Sequence, residues 1–166
     1  MSSKVTAYHE AGHMCAAWIL GFDVESATIV INTDQGYQGQ TVCPVRDKLP
    51  DEVTEDWDRY LYKNLLVIYS GPAASRIYKP DTESPTSWYY GDRLYTADDR
   101  AADELIEEMD PLERRAISMR ASDEAESLTK DHWECVKYVA SVLLERKTLD
   151  QAQCQDVLKE AFHYRR

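Results

Sequence analysis

His9, Glu10 and His13 stand in the pattern His9-Glu10-Ala11-Gly12-His13. Residues four apart in a helix lie on one face, about one turn from each other. Both imidazoles can then reach a single ion. Zinc takes such nitrogen donors, and its catalytic sites keep a position open for water. Bound zinc lowers the pKa of that water towards ~7. Glu10 can act on the same water as general base and pass the proton to a leaving amine. The simpler reading is a pair of hydrogen-bonded core histidines with a salt-bridged glutamate. Against it, three polar side chains inside an apolar helix are penalised by desolvation unless something pairs them.

Two histidines do not complete a catalytic zinc site; a third protein ligand is wanted. No third His follows at the spacing of an extended His-Glu-x-x-His-x-x-Gly-x-x-His motif, and His132 and His163 sit in the C-terminal helical stretches. They read as surface or interhelical residues. A carboxylate from a distant helix is the alternative, and Asp98-Asp99 leads the choice. Acids in a helical first turn also suit the helix dipole, and Asp99 stands three after Thr96 in a capping arrangement. Spacing alone leaves that pair open between ligand and cap.

These residues need elements to hold them. Residues 4–20 are Ala-rich and apolar on most sides, with Gly21 just past the end, and read as a largely buried helix. Gly12 inside it costs roughly 1 kcal/mol against Ala, which points to close approach of another backbone or of the metal site. Residues 24–31 are β-branched and read as a strand, with turn residues Asp34, Gly36 and Gly39 and a return strand over 40–43. Helical spacing resumes over about 51–70, with Leu61, Leu65 and Ile68 on one side. Gly71-Pro72 is expected to interrupt it, with a further helical turn over 73–77. Residues 79–95 form a long irregular stretch holding Pro80, Pro85 and Trp88-Tyr89-Tyr90. Helices are then expected over 97–109, capped by Thr96, and over 122–146. A last one runs to about 163, opened by a capping box at Thr148–Gln151. The expectation is a mainly α fold with a small N-terminal β-hairpin or edge sheet.

The chain has 166 residues, 43% hydrophobic and 30% charged, which fits one globular domain over 1–166. Its net charge of −11 gives the wrong field for neutralising nucleic-acid phosphates. Acid is concentrated between Asp98 and Asp131, which reads as a solvated helical face. No apolar run approaches the ~20 residues that span a bilayer, and no secretory signal opens the chain. The four cysteines show no paired spacing and read as reduced thiols of a cytoplasmic protein.

Taken together, these stretches resemble the zinc-protease domain of the FtsH family, the membrane-anchored AAA proteases. Thr6-Ala-Tyr-His-Glu-Ala-Gly-His13 is similar to that family's metal-binding helix. Ser26–Ile31 followed by Gly36-Tyr-Gln-Gly39 resembles the strand and turn after it, and Ser70–Ile77 the segment that follows. Thr96–Ala102 resembles the helix that supplies the third ligand, and Leu143–Asp150 the closing helix-turn-helix. The resemblance implies a helical peptidase fold and Zn2+ held by His9, His13 and Asp99, with Glu10 as base. It also implies a strand at Thr28, Ile29, Val30 and Ile31 whose edge pairs with an extended peptide.

The expected activity is a zinc metalloendopeptidase acting on flexible or unfolded polypeptide. No nucleotide-binding Gly-x-x-x-x-Gly-Lys-[Ser/Thr] motif occurs, so the chain either acts on already flexible peptides, is served by a separate ATPase or adaptor, or is a trimmed piece. Homo-oligomerisation is compatible with the resemblance. A non-catalytic binding or regulatory module that kept the fold is the alternative function, and a zinc hydrolase of a non-peptide amide is a third.

Overall fold

A computed structural model describes residues 3–30, 39–43, 56–79 and 97–163. The described residues form six helices and three short strands, in the order α1 (Ser3–Ile19), β1 (Ser26–Thr28), β2 (Gln40–Val42), α2 (Trp57–Tyr78), α3 (Ala97–Glu107), α4 (Arg114–Asp131), α5 (Trp133–Arg146), β3 (Thr148–Leu149) and α6 (Gln151–His163). The fold is mainly helical with a small antiparallel sheet, as the residue pattern implies. Among the described residues, no helix is long and apolar enough to cross a membrane.

The Ala-rich α1 lies between α2 and α5. Ala7, Ala11 and Ala17 are wholly buried, and small side chains let helices approach closely. Gly12 makes the closest approach: a Cβ there would stand 2.4 Å from the Ser70 backbone oxygen of α2. The helix-propensity cost of this glycine is thus matched by a backbone contact that no other residue permits. One apolar cluster joins α1, α5 and α6; a second joins α2, α3 and α4.

Three features depart from the sequence expectations. Gly71-Pro72 does not interrupt α2, which runs unbroken through Pro72. Proline costs a helix interior about 3 kcal/mol, but Leu65, Ala73 and Ala74 on either side of it are fully buried, and their packing holds the helix together. Conversely, the helix expected over 122–146 begins earlier and is broken. His132, at φ −111° and ψ 24°, separates α4 from α5. The two halves serve different partners, α4 packing on α2 and α5 on α1, so one straight helix could not satisfy both.

Finally, the last helix is not opened by Thr148. Asp150 accepts from the Gln153 N–H at 2.9 Å, and the Gln153 side chain accepts from the Asp150 N–H at 3.0 Å, a reciprocal capping box. Thr148 and Leu149 are thereby free to form β3, entered through Lys147 at φ +69°. The sheet order is β2-β1-β3. β1 pairs antiparallel with β2 (Ala27 opposite Thr41) and with β3 (Thr28 opposite Thr148).

A candidate metal centre

Helix α1 carries His9, Glu10 and His13, and the first turn of α3 carries Asp98. The i, i+4 spacing brings the two Nε2 atoms to 3.1 Å. Asp98 Oδ2 lies 2.8 Å from His9 Nε2 and 3.6 Å from His13 Nε2. Two imidazole nitrogens and one carboxylate oxygen therefore converge on one point. Among the described residues, this is the one group of three or more His, Cys, Asp or Glu side chains close enough to hold an ion together.

Helix α2 orients the rings from behind. His13 Nδ1 is 2.8 Å from the Val67 carbonyl, which can only accept, so Nδ1 carries the proton and donates. In the neutral ring this leaves the Nε2 lone pair facing the other donors. His9 Nδ1 is 3.2 Å from the Ser75 hydroxyl. Metal-binding histidines are commonly fixed by such a bond at the nitrogen that does not coordinate. Gly71 completes the backing: a Cβ there would fall 2.2 Å from His13 Nε2. The helix expected to break at this glycine instead presents its bare backbone to the ring.

The donor set fits zinc. Nitrogen–nitrogen–oxygen ligation by side chains suits that ion, and three protein ligands leave a position open. The electrostatics agree. Three electron-rich atoms this close repel unless a cation or a proton sits among them. In the metal-free protein the proton fills that role. Burial works to lower the pKa of His13, but the neighbouring Asp98 carboxylate and then Glu10 carry it up to about 9. Burial acts to raise Asp98, yet His13 and His9 together outweigh it and hold that carboxyl well below the ordinary carboxylate range.

Glu10 is buried, and burial pushes its pKa up against the opposing pull of His13 and His9. Its Oε2 accepts a hydrogen bond of 2.7 Å from the Thr41 hydroxyl on β2. Gly39, just before β2, lies so close that a Cβ would meet Glu10 Oε1 at 2.5 Å. The carboxylate is thus packed between its own helix and the strand.

The structure brings His9, Glu10 and His13 together, and the carboxylate it places beside them differs from the expected Asp99. Asp98, not Asp99, joins the imidazoles. Adjacent helical residues point about 100° apart, so only one of two consecutive acids can face a given point. The cap and register arguments at Thr96 do not decide which, and Thr96 lies outside the described residues. The expected peptide-pairing edge is also displaced. Thr28 is in the middle strand, with Gln40 on one side and Thr148 on the other, and the N–H of buried Ile29 donates to the Lys147 carbonyl at 2.9 Å. Val30 is exposed just beyond β1, and Ile31 lies outside the described residues, as does Trp88-Tyr89-Tyr90. Among the described residues the outer strands are β2 and β3, and β2 is the one that touches Glu10. Sequence reasoning missed Val67, Ser75, Thr41 and the role of Gly71. Only Gly71, as a glycine inside apolar helical spacing, left a visible signal.

No family model matches this chain. It is similar to the ATP-dependent zinc metalloprotease FtsH 1 of Rhodopirellula baltica, 25% identical over 193 aligned residues. The alignment takes in 96% of this chain but spans only 28% of the length of that relative. At that identity and coverage the likeness supports a distant relationship to FtsH and nothing finer.

Proposed function

We propose that this chain is a zinc-dependent peptidase unit, folded as one domain over 1–166, that hydrolyses peptide bonds in flexible or unfolded polypeptide. The observation that carries the reading is the convergence of His9 Nε2, His13 Nε2 and Asp98 Oδ2, with His13 Nδ1 turned away to a backbone carbonyl. His9, His13 and Asp98 would hold the ion, which supplies Lewis acidity for activating water and for balancing negative charge on a carbonyl oxygen. Glu10 would take the proton of the attacking water and deliver it to the leaving nitrogen. Its burial favours the neutral acid and so strengthens its ionised form as a base. Among the described residues β2 has no strand on its outer side, so an extended peptide laid there could pair through its main chain beside Glu10. Such pairing demands flexibility in the substrate rather than a sequence. Folded proteins would reach the site only after a separate ATPase or adaptor had opened them.

The test is cleavage of an unfolded protein such as casein by the zinc-loaded chain. Chelator-sensitive fragments are expected, and Glu10→Gln should keep metal and fold while slowing cleavage at least about a hundredfold. Cleavage indifferent to chelator, or undiminished in Glu10→Gln, would overturn the reading.

A further inference from the structure

We propose that Thr41 is a positioning residue for Glu10, holding the carboxylate in the alignment that proton transfer requires. This inference rests on the proposed hydrolytic reading and adds a residue to it. Thr41 lies on β2, 31 positions from Glu10, and its hydroxyl reaches Glu10 Oε2 at 2.7 Å and the Glu10 backbone oxygen at 3.4 Å. An ionised carboxylate can only accept, so the Thr41 hydroxyl is the donor. A short O–H···O− bond of this kind is among the stronger directional contacts a side chain makes.

Glu10 has several rotatable bonds, so burial alone does not set the direction of its oxygens. Thr41 in β2 and Gly39 just before it do. Thr41 fixes Oε2 by hydrogen bonding, and the bare backbone at Gly39 closes on Oε1, leaving no room for a Cβ. Glu10 is thereby tied to β2 as well as to α1. β2 is in turn held in register by β1, with Ala27 opposite Thr41. The base is aligned by the sheet, whereas His9 and His13 are aligned by α2.

The roles separate on substitution. Thr41→Val keeps shape and β propensity but removes the donor. Thr41→Ser keeps the donor and drops a methyl group. Neither touches His9, His13 or Asp98. A positioning role therefore predicts a loss in kcat with KM and zinc affinity unchanged.

The experiment compares zinc-loaded wild type, Thr41→Val and Thr41→Ser on a flexible fluorogenic peptide. The same proteins, labelled with carbon-13 at the glutamate carboxyl carbon, are compared by NMR, with Glu10→Gln identifying the Glu10 signal. Thr41→Val should lower kcat by about ten- to a hundredfold, the scale of one hydrogen bond to a charged group. KM and zinc affinity should stay within about twofold, and Thr41→Ser should restore most of the rate. The Glu10 signal should move in Thr41→Val and return in Thr41→Ser. An unmoved signal, an unchanged kcat, or a loss confined to KM or zinc affinity would overturn the proposal. Should Thr41→Val fail to fold, Thr41→Ala and Thr41→Ser give the same contrast between a missing and a retained hydroxyl. If wild type does not cleave at all, the hydrolytic reading fails and the catalytic role of Thr41 with it. The NMR signal would then show separately whether the contact itself exists.

Discussion

The assignment of Asp98 over Asp99 makes the sharpest prediction. Asp98→Asn removes the one carboxylate oxygen that lies 2.8 Å from His9 Nε2 and 3.6 Å from His13 Nε2. Structural zinc sites bind with about 10–16 kcal/mol over four donors, so one donor is worth roughly 3 kcal/mol. That corresponds to about a hundredfold loss of zinc affinity. Asp99→Asn removes a charge of the same sign one residue along but no donor, and should weaken binding by no more than about fivefold through the lost long-range attraction. Competition titration against a chelator of known affinity reads both. The metal-free proteins give an independent measure. Asp98 is the leading influence raising His13, whose pKa reaches about 9, so in Asp98→Asn it should fall markedly, while in Asp99→Asn it should hardly move. Histidine NMR titration of the metal-free proteins follows it directly. If Asp99→Asn loses zinc and Asp98→Asn keeps it, the geometric assignment is wrong and the register implied by family resemblance is right.

Two further outcomes test the surroundings of the centre. An exposed helical Gly→Ala would stabilise by up to about 1 kcal/mol. At Gly71 the added Cβ would fall 2.2 Å from His13 Nε2, so Gly71→Ala should instead weaken zinc binding and destabilise the fold by about 1–3 kcal/mol, measured by titration and by denaturant unfolding. Metal-free stability should also depend on pH. The protonated His13 stabilises the fold fully below its ordinary pKa of 6.5, and that contribution is lost as pH rises through about 9. Asp98 works oppositely: its contribution is present above 3.8 and is lost as pH falls below that value. Unfolding of the metal-free protein should therefore be hardest between pH 3.8 and 6.5. Zinc must displace the His13 proton, so its affinity should rise by up to about tenfold per pH unit between 7 and 9. A flat profile by calorimetry in that range would refute the proton–metal exchange.

Much of the fold follows from local pattern. The Ala-rich α1, the short antiparallel pairing of β1 with β2, and the last helix are visible in residue type and spacing because each is decided by neighbours close in sequence. The failures share a cause. The break at His132 carries no glycine or proline. It exists because α4 packs on α2 and α5 on α1, a long-range demand. The continuity of α2 through Pro72 is likewise imposed by burial of Ala73 and Ala74. At β3 the capping signal was real but displaced: Asp150 with Gln153 forms the box, and Thr148 is released to the sheet.

The site divides the same way. His9, Glu10 and His13 are fixed relative to one another by helical geometry, so five consecutive residues suffice to place them. The third donor comes from 85 residues beyond His13, and no local rule says which face of α3 will meet α1. Position in the chain narrows the choice to two adjacent acids and the resemblance favours Asp99, but adjacent acids are the pair that helical rotation separates most consequentially. The supporting groups are less legible still. Val67 acts through a backbone carbonyl, so its side chain carries no trace of the role. Thr41 is an ordinary strand residue until β2 is seen against α1. Gly12 and Gly71 mark the shared cause. Both glycines occur where α1 and α2 nearly touch, one against a carbonyl and the other against an imidazole. That close approach sets Val67 behind His13 and Ser75 behind His9, and so decides which nitrogens face inward. A cavity-neutral change that spread these two helices would therefore weaken metal binding with all three donors intact.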